Sequence, residues 1–219
     1  MIRLVVFDWD GTLMDSEARI VTAMQQAFLA QGATVPSRSA VCEIIGLDLD
    51  RAAALLGTDL TPARITAIVR AYRQRYAQLH GIPTPLFEGA RELLAQLVEA
   101  GFMLAVATGK SRRGLDRAME ESGVAEFFAT TRCGEEATPK PDPAMLRDIL
   151  LDLDTSPTEA LMVGDTVYVL MMAAAARTYA AAVTYGAHSR QRLINLEPAL
   201  VIDTLTDLPA AIARLDLTR

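Results

Sequence analysis

The sequence predicts an α/β fold, a mainly parallel sheet flanked by helices and interrupted by an all-helical insert. Three observations carry that expectation. Short apolar runs of strand character alternate with amphipathic helical stretches over much of the chain, the pattern of parallel strands joined by crossover helices. Residues 16 to 84 break the alternation: their apolar positions, Ile20, Met24, Ala27 and Phe28, then Ile65, Ile68, Val69 and Tyr72, follow helical spacing alone. A chain of 219 residues, 51% apolar, can bury a core and a smaller inserted one.

The elements follow in order. Leu4–Phe7 reads as a buried strand, and residues 103–107 and 160–163 repeat its pattern; 180–183 and 200–202 are weaker candidates. The helix over 88–100 stops at Gly101. The next, 111–122, opens on a capping serine and stops at Gly123. Another begins after Asp142, with Pro143 at its first position. The insert closes on Ile82-Pro83-Thr84-Pro85, a stiff connection suited to a domain boundary. We therefore divide the chain into a core of 1–15 and 85–219 and an insert of 16–84.

Composition removes several classes of function. A net charge of −6 leaves no basic face for a nucleic acid. Cys42 and Cys133 stand far apart, and His80 and His188 are the only histidines, so a disulfide scaffold, a thiolate zinc site and a histidine-rich metal site are excluded. The apolar stretch 167–176 is too short to span a bilayer, and the run before Asp8 is too short for a signal peptide. A cytoplasmic protein without a membrane partner is expected.

The chemistry-bearing residues fall at the ends of the expected strands, where sites form in open α/β sheets. The first strand runs into Asp8-Trp9-Asp10-Gly11-Thr12. Two carboxylates two residues apart can reach one point and need a cation between them, and Mg²⁺ suits an all-oxygen site. A turn with a helix cap would give the same letters. The second strand ends in Thr108-Gly109-Lys110, a hydroxyl and free N–H groups at a helix start, fit for an anion. Lys140 lies between Pro139 and Pro141, and the 160–163 strand ends in Gly164-Asp165. Lys110 and Lys140 are the only lysines, against 19 arginines. Gly109-Lys110-Ser111 ends like a P-loop, but Leu104 stands where that motif requires glycine.

In this order the four motifs resemble those of the haloacid dehalogenase superfamily, closest to the phosphoglycolate phosphatase-like members with a helical cap inserted after the first motif. The resemblance covers nearly the whole chain. It implies a Rossmann-like core and a Mg²⁺-dependent phosphomonoesterase acting on a small phosphorylated metabolite. It further implies Asp8 as the nucleophile that forms an aspartyl-phosphate, and Asp10 as general acid and then base. Thr108 and Gly109 would bind the phosphoryl oxygens, and Lys140 would steady Asp8 and the phosphate. Asp8, Asp10 and Asp165 would hold the metal, Asp10 through its main-chain carbonyl. Gly46 and Arg51, on the insert loop facing the crevice, read as a helix terminator and a solvated arginine rather than as substrate contacts.

The chain departs from the family at one helix. Relatives usually carry an acidic residue four positions after the equivalent of Asp165, where this chain has Val169; weakened metal binding and turnover are the expected result. The helix 166–176 is apolar nearly all round, and a helix apolar on every face is buried on every face. Val169, Leu170, Met171, Ala173, Arg177 and Tyr179 are accordingly expected to form a protein–protein contact, making the chain a homo-oligomer or part of a hetero-assembly through 166–179. A stronger form has that surface engineered onto a natural phosphatase scaffold as a subunit of a designed assembly, with little or no catalysis.

Overall fold

The computed structural model describes residues 1–217. Its centre is a six-stranded sheet of β1 (Leu4–Phe7), β2 (Met103–Thr108), β3 (Thr130–Cys133), β4 (Ala160–Gly164), β5 (Tyr179–Val183) and β6 (Leu200–Ile202). The spatial order is β3-β2-β1-β4-β5-β6 and every pairing is parallel. The expected Rossmann-like α/β fold is therefore the observed one. Phe7 is level with Val106 on one side and Val163 on the other, so β1, β2 and β4 end together. Chain order reverses across β1, which places a crevice beyond these ends.

Alternation along β1 builds two cores. Leu4 and Val6 face Met145, Leu146 and Ile149 of α7 (Ala144–Asp152) and Val169, Met172 and Ala173 of α8 (Val167–Ala176). Val5 and Phe7 face the opposite layer, α5 (Ala90–Glu99), α6 (Arg112–Ser122) and α10 (Leu208–Leu217), through Leu93, Leu97, Leu115 and Ile212. The helix ends follow local chemistry: Ser111 accepts from the Gly114 N–H, and Gly123 takes the left-handed conformation that closes α6. Before α7, the Asp142 carboxylate accepts from the Ala144 N–H, so the helix opens one residue after Pro143. The strand β3 was not expected from the sequence; it is an edge strand reading Thr-Thr-Arg-Cys, with too few apolar residues to signal itself.

Between Asp15 and Pro85 lie α1 (Glu17–Ala30), α2 (Arg38–Cys42), α3 (Leu49–Leu56) and α4 (Pro62–Gln78). They share an apolar cluster of their own that includes Met24, Phe28, Val41, Ile45, Ile68 and Val69. Ser37, Asp48 and Thr61 cap α2, α3 and α4 through their side chains. The two connections to the sheet run side by side: the Asp15 N–H donates to Pro85 O and the Phe87 N–H to Leu13 O.

The helix α8 corrects one expectation. Val169, Leu170 and Ala173 do not form a surface; they are buried inside this chain. Val169 and Ala173 pack with the sheet and α7. Leu170 meets Ala182 and Leu193 of α9 (Arg190–Ile194), and Tyr168 reaches the insert's cluster. Three neighbours therefore account for a helix apolar on all sides. Tyr179 is half-buried against the main core. Of the expected contact residues only Met171, 45% exposed, and Arg177 face outward, too little for an interface. The inference of an engineered assembly surface falls with it. Among the described residues no helix is long and apolar enough to cross a membrane.

Candidate active site

The peptide leaves β1 at Asp8, whose side chain is sealed beside that of Lys140, the two being 2% and 0% exposed. The ammonium stands 2.7 Å from Asp8 Oδ1, which also accepts from the Trp9 N–H at 2.7 Å. Asp8 Oδ2 has no hydrogen-bond partner. A buried, unpaired carboxylate oxygen is costly unless something absent from the chain meets it. Burial pushes the Asp8 pKa up, against the pull of Lys140.

Asp165 lies beyond the end of β4, fully buried. Thr12 Oγ1 donates to its Oδ1 at 3.0 Å and the Ala187 N–H to its Oδ2 at 2.8 Å. Gly11 and Gly186 press against it; a Cβ on either would run into its carboxylate, so both glycines are required by close approach. The Asp165 pKa is pushed up to about 7, first by burial and then by the charge of Asp8. A buried acid raised by the charge of a second one beside it is a place for a cation.

Asp10 has a different partner. Its two oxygens lie 2.8 and 2.9 Å from Lys110 Nζ, and Ser16 Oγ donates to Oδ1 at 2.6 Å. The Lys110 ammonium also sits 5.2 Å from the centre of the Tyr76 ring, which α4 supplies. Burial would lower the Lys110 pKa, but Asp10 and Tyr76 together hold it above its usual value. The expectation that the carboxylates of Asp8 and Asp10 turn to one point is thus revised: each is held by its own lysine.

Thr108 is buried at the end of β2, its hydroxyl accepting from the Lys110 N–H at 3.2 Å. Gly109 is pinned beneath the insert, where a Cβ would come within 2.6 Å of Leu47 O. Asp8, Asp10, Thr108, Gly109 and Lys110 line a cavity of about 590 Å³ between sheet and insert, with Ile20, Met24, Ile44 and Tyr72 on its far wall. Lys140 and Asp165 lie behind Asp8, without exposed surface. Gly46 lines the same cavity at φ 93°. Arg51 is not merely solvated, since it donates to the Lys140 carbonyl at 3.2 Å.

His188 joins the loop after β5 to the insert. It is buried, its Nδ1 accepting from the Val167 N–H and its Nε2 facing Glu43 O; burial lowers its pKa. Glu43 O also accepts from the Tyr168 hydroxyl, so α8 and the loop after β5 grip the insert at one residue. Nothing local in the sequence marks Ser16, Gly186 or His188, and the motif that ends in Thr12 does not show that its hydroxyl holds Asp165. Their roles come from contacts across 6 to 153 residues of chain.

Among the described residues no three His, Cys, Asp or Glu side chains gather as metal ligands. The residues do fit a hard, oxygen-bound cation: the orphaned Asp8 Oδ2 and the buried Asp165, raised by the charge of Asp8, are two carboxylate donors, and Mg²⁺ commonly takes one or two carboxylates and completes its shell with water and phosphate oxygens.

Comparison with known proteins gives the family and the fold. Residues 5–183 match the family described as haloacid dehalogenase-like hydrolase. A Dickeya dadantii protein named "Probable phosphatase IndB" is 34% identical over 96% of this chain and 94% of its own length. A Vibrio cholerae phosphoglycolate phosphatase is 31% identical over 94% of this chain and 95% of its own. The crystal structure of a hydrolase from Pseudomonas syringae has the same fold, with a TM-score of 0.88 at 19% identity, covering 98% of this chain and 99% of that one.

Proposed function

This chain belongs to the haloacid dehalogenase-like hydrolases and is a phosphatase-type hydrolase, and from that premise we propose a Mg²⁺-dependent phosphomonoesterase acting through Asp8 on a small phosphorylated metabolite. The observation that carries the reading is the buried Asp8, with Lys140 on one oxygen and nothing on the other.

Asp8 Oδ2, Asp165 and the main-chain oxygen of Asp10 would hold Mg²⁺, which when bound neutralises charge on the phosphoryl oxygens. Thr108 and the Gly109 N–H orient the phosphoryl group. Lys140 offsets the repulsion between an attacking carboxylate and an anionic ester. An Asp8 oxygen forms its bond to phosphorus while the bond from phosphorus to the leaving oxygen breaks, and a protonated Asp10 gives its proton to that oxygen. The Asp10 carboxylate then takes a proton from water as the water attacks the aspartyl-phosphate, releasing phosphate and restoring Asp8. Residues 1–15 and 85–219 act as the core and 16–84 as a cap that covers the cavity; the adjacent linkers at 15 and 85 support opening about one hinge.

Hydrolysis of p-nitrophenyl phosphate tests the reading. Wild type is expected to turn over with Mg²⁺ and to lose turnover on chelation, and Asp8→Asn to abolish it. Metal-independent hydrolysis, or an active Asp8→Asn protein, would contradict it.

A further inference from the structure

We propose that Lys110 is a positioning residue for Asp10, holding its carboxylate at the cavity mouth with Ser16 and under the Tyr76 ring of the cap. The inference rests on the reading of Asp10 as the proton carrier. Two acids at Asp8-Trp9-Asp10 would compete for one cation if both turned inward, and a proton carrier drawn to the metal could not reach the leaving oxygen. Lys110 prevents that, because its ammonium touches both Asp10 oxygens and leaves Asp8 to Lys140.

The surroundings fit a fixed clamp. The side chains of Lys110 and Asp10 are 10% and 14% exposed, so water competes little for either partner. Tyr76 covers the ammonium and Arg19 approaches the same ring at 5.5 Å. Arg19 is itself tied to Ile82 O at the cap's exit, through its Nε at 2.7 Å. The clamp is therefore assembled from both sides of the cavity, Lys110 from the end of β2 and Tyr76 from α4. A cap that swings open takes the ring away, and one that closes restores it. Lys110 also neutralises the charge that Asp10 acquires as its proton leaves.

Two esters separate positioning from general structural support. p-Nitrophenyl phosphate releases a stable anion that needs no proton, whereas an alkyl phosphate such as glycerol 2-phosphate needs one. Lys110→Met is expected to lower kcat on the alkyl ester by about 10²-fold, the lower end of what a proton carrier contributes. On the aryl ester the loss should be under about tenfold, with KM on both moving less than kcat, and Lys110→Arg should recover most of the difference. Equal losses on the two esters in a folded Lys110→Met protein, or an arginine variant no better than methionine, would overturn the Lys110 assignment alone. A wild type that hydrolyses neither ester would overturn the reading of the whole site and this inference with it.

Discussion

The chain's two lysines grip aspartates only two residues apart, in opposite settings. Lys140 and Asp8 are sealed beneath the cavity, and Lys110 and Asp10 stand at its mouth beside Ser16 and a cap tyrosine. The difference teaches how one short stretch of backbone performs two tasks. The sealed pair keeps one carboxylate oxygen bare and dry for phosphorus or a cation. The mouth pair keeps a carboxylate on the cavity wall, where the leaving oxygen of a substrate can reach it. Depth in the crevice, set by the end of β1, assigns the roles.

Removing each lysine sharpens the contrast. Lys140→Met leaves a buried carboxylate with the Trp9 N–H as its one remaining partner, and a loss of about 3–5 kcal/mol in urea unfolding is expected. Lys110→Met leaves Asp10 with Ser16 and with water in the cavity, and about 1–2 kcal/mol is expected. Equal losses would erase the distinction between floor and mouth.

Position 169 probes the sealed side next. Val169 is buried, its methyl groups packed against Gly164 just ahead of Asp165. Val169→Asp brings a carboxylate beside the proposed cation site. Titration calorimetry is expected to show Mg²⁺ bound about 10–100-fold more tightly than by the parent, with the metal-free variant less stable because its new charge is buried. Unchanged affinity would remove position 169 from the account of the metal.

The smallest effect is a slope with pH. The metal-free folded state holds a proton on Asp165 up to a pKa of about 7, whereas the unfolded chain gives it up near the ordinary value of about 4. The folded state thus binds more protons between roughly pH 4 and 7, and its stability falls as pH rises through that window. Asp165→Asn, melted in the presence of a chelator, should show a flatter fall than wild type. An identical slope would mean that Asp165 is ionised throughout.

Most of the fold and the residues of the cavity floor were legible because they repeat. Apolar runs mark β1, β2 and β4, and the acidic, hydroxyl and glycine groups follow at their ends, where the parallel register brings them level. The edge strand β3 was not legible, since its polar residues carry no period. Periodicity showed that α8 is apolar all round but not what covers it, and the sheet, α7, α9 and the cap cover most of it where a second protein had been expected, leaving Met171 outward. The pairing of Lys110 with Asp10 spans 100 residues of chain and leaves no local mark, and the same holds for the grip of His188 on Glu43.

The most direct test of the account is to find the phosphorylated atom. Rapid acid quench of the Mg²⁺-loaded protein during turnover, followed by borohydride reduction and peptide mass spectrometry, converts a phosphorylated aspartate to homoserine. The account expects that conversion at position 8, more of it in Asp10→Asn, where hydrolysis of the intermediate is slowed, and none in Asp8→Asn. Turnover with no modified residue, or with the modification at any other position, would contradict it.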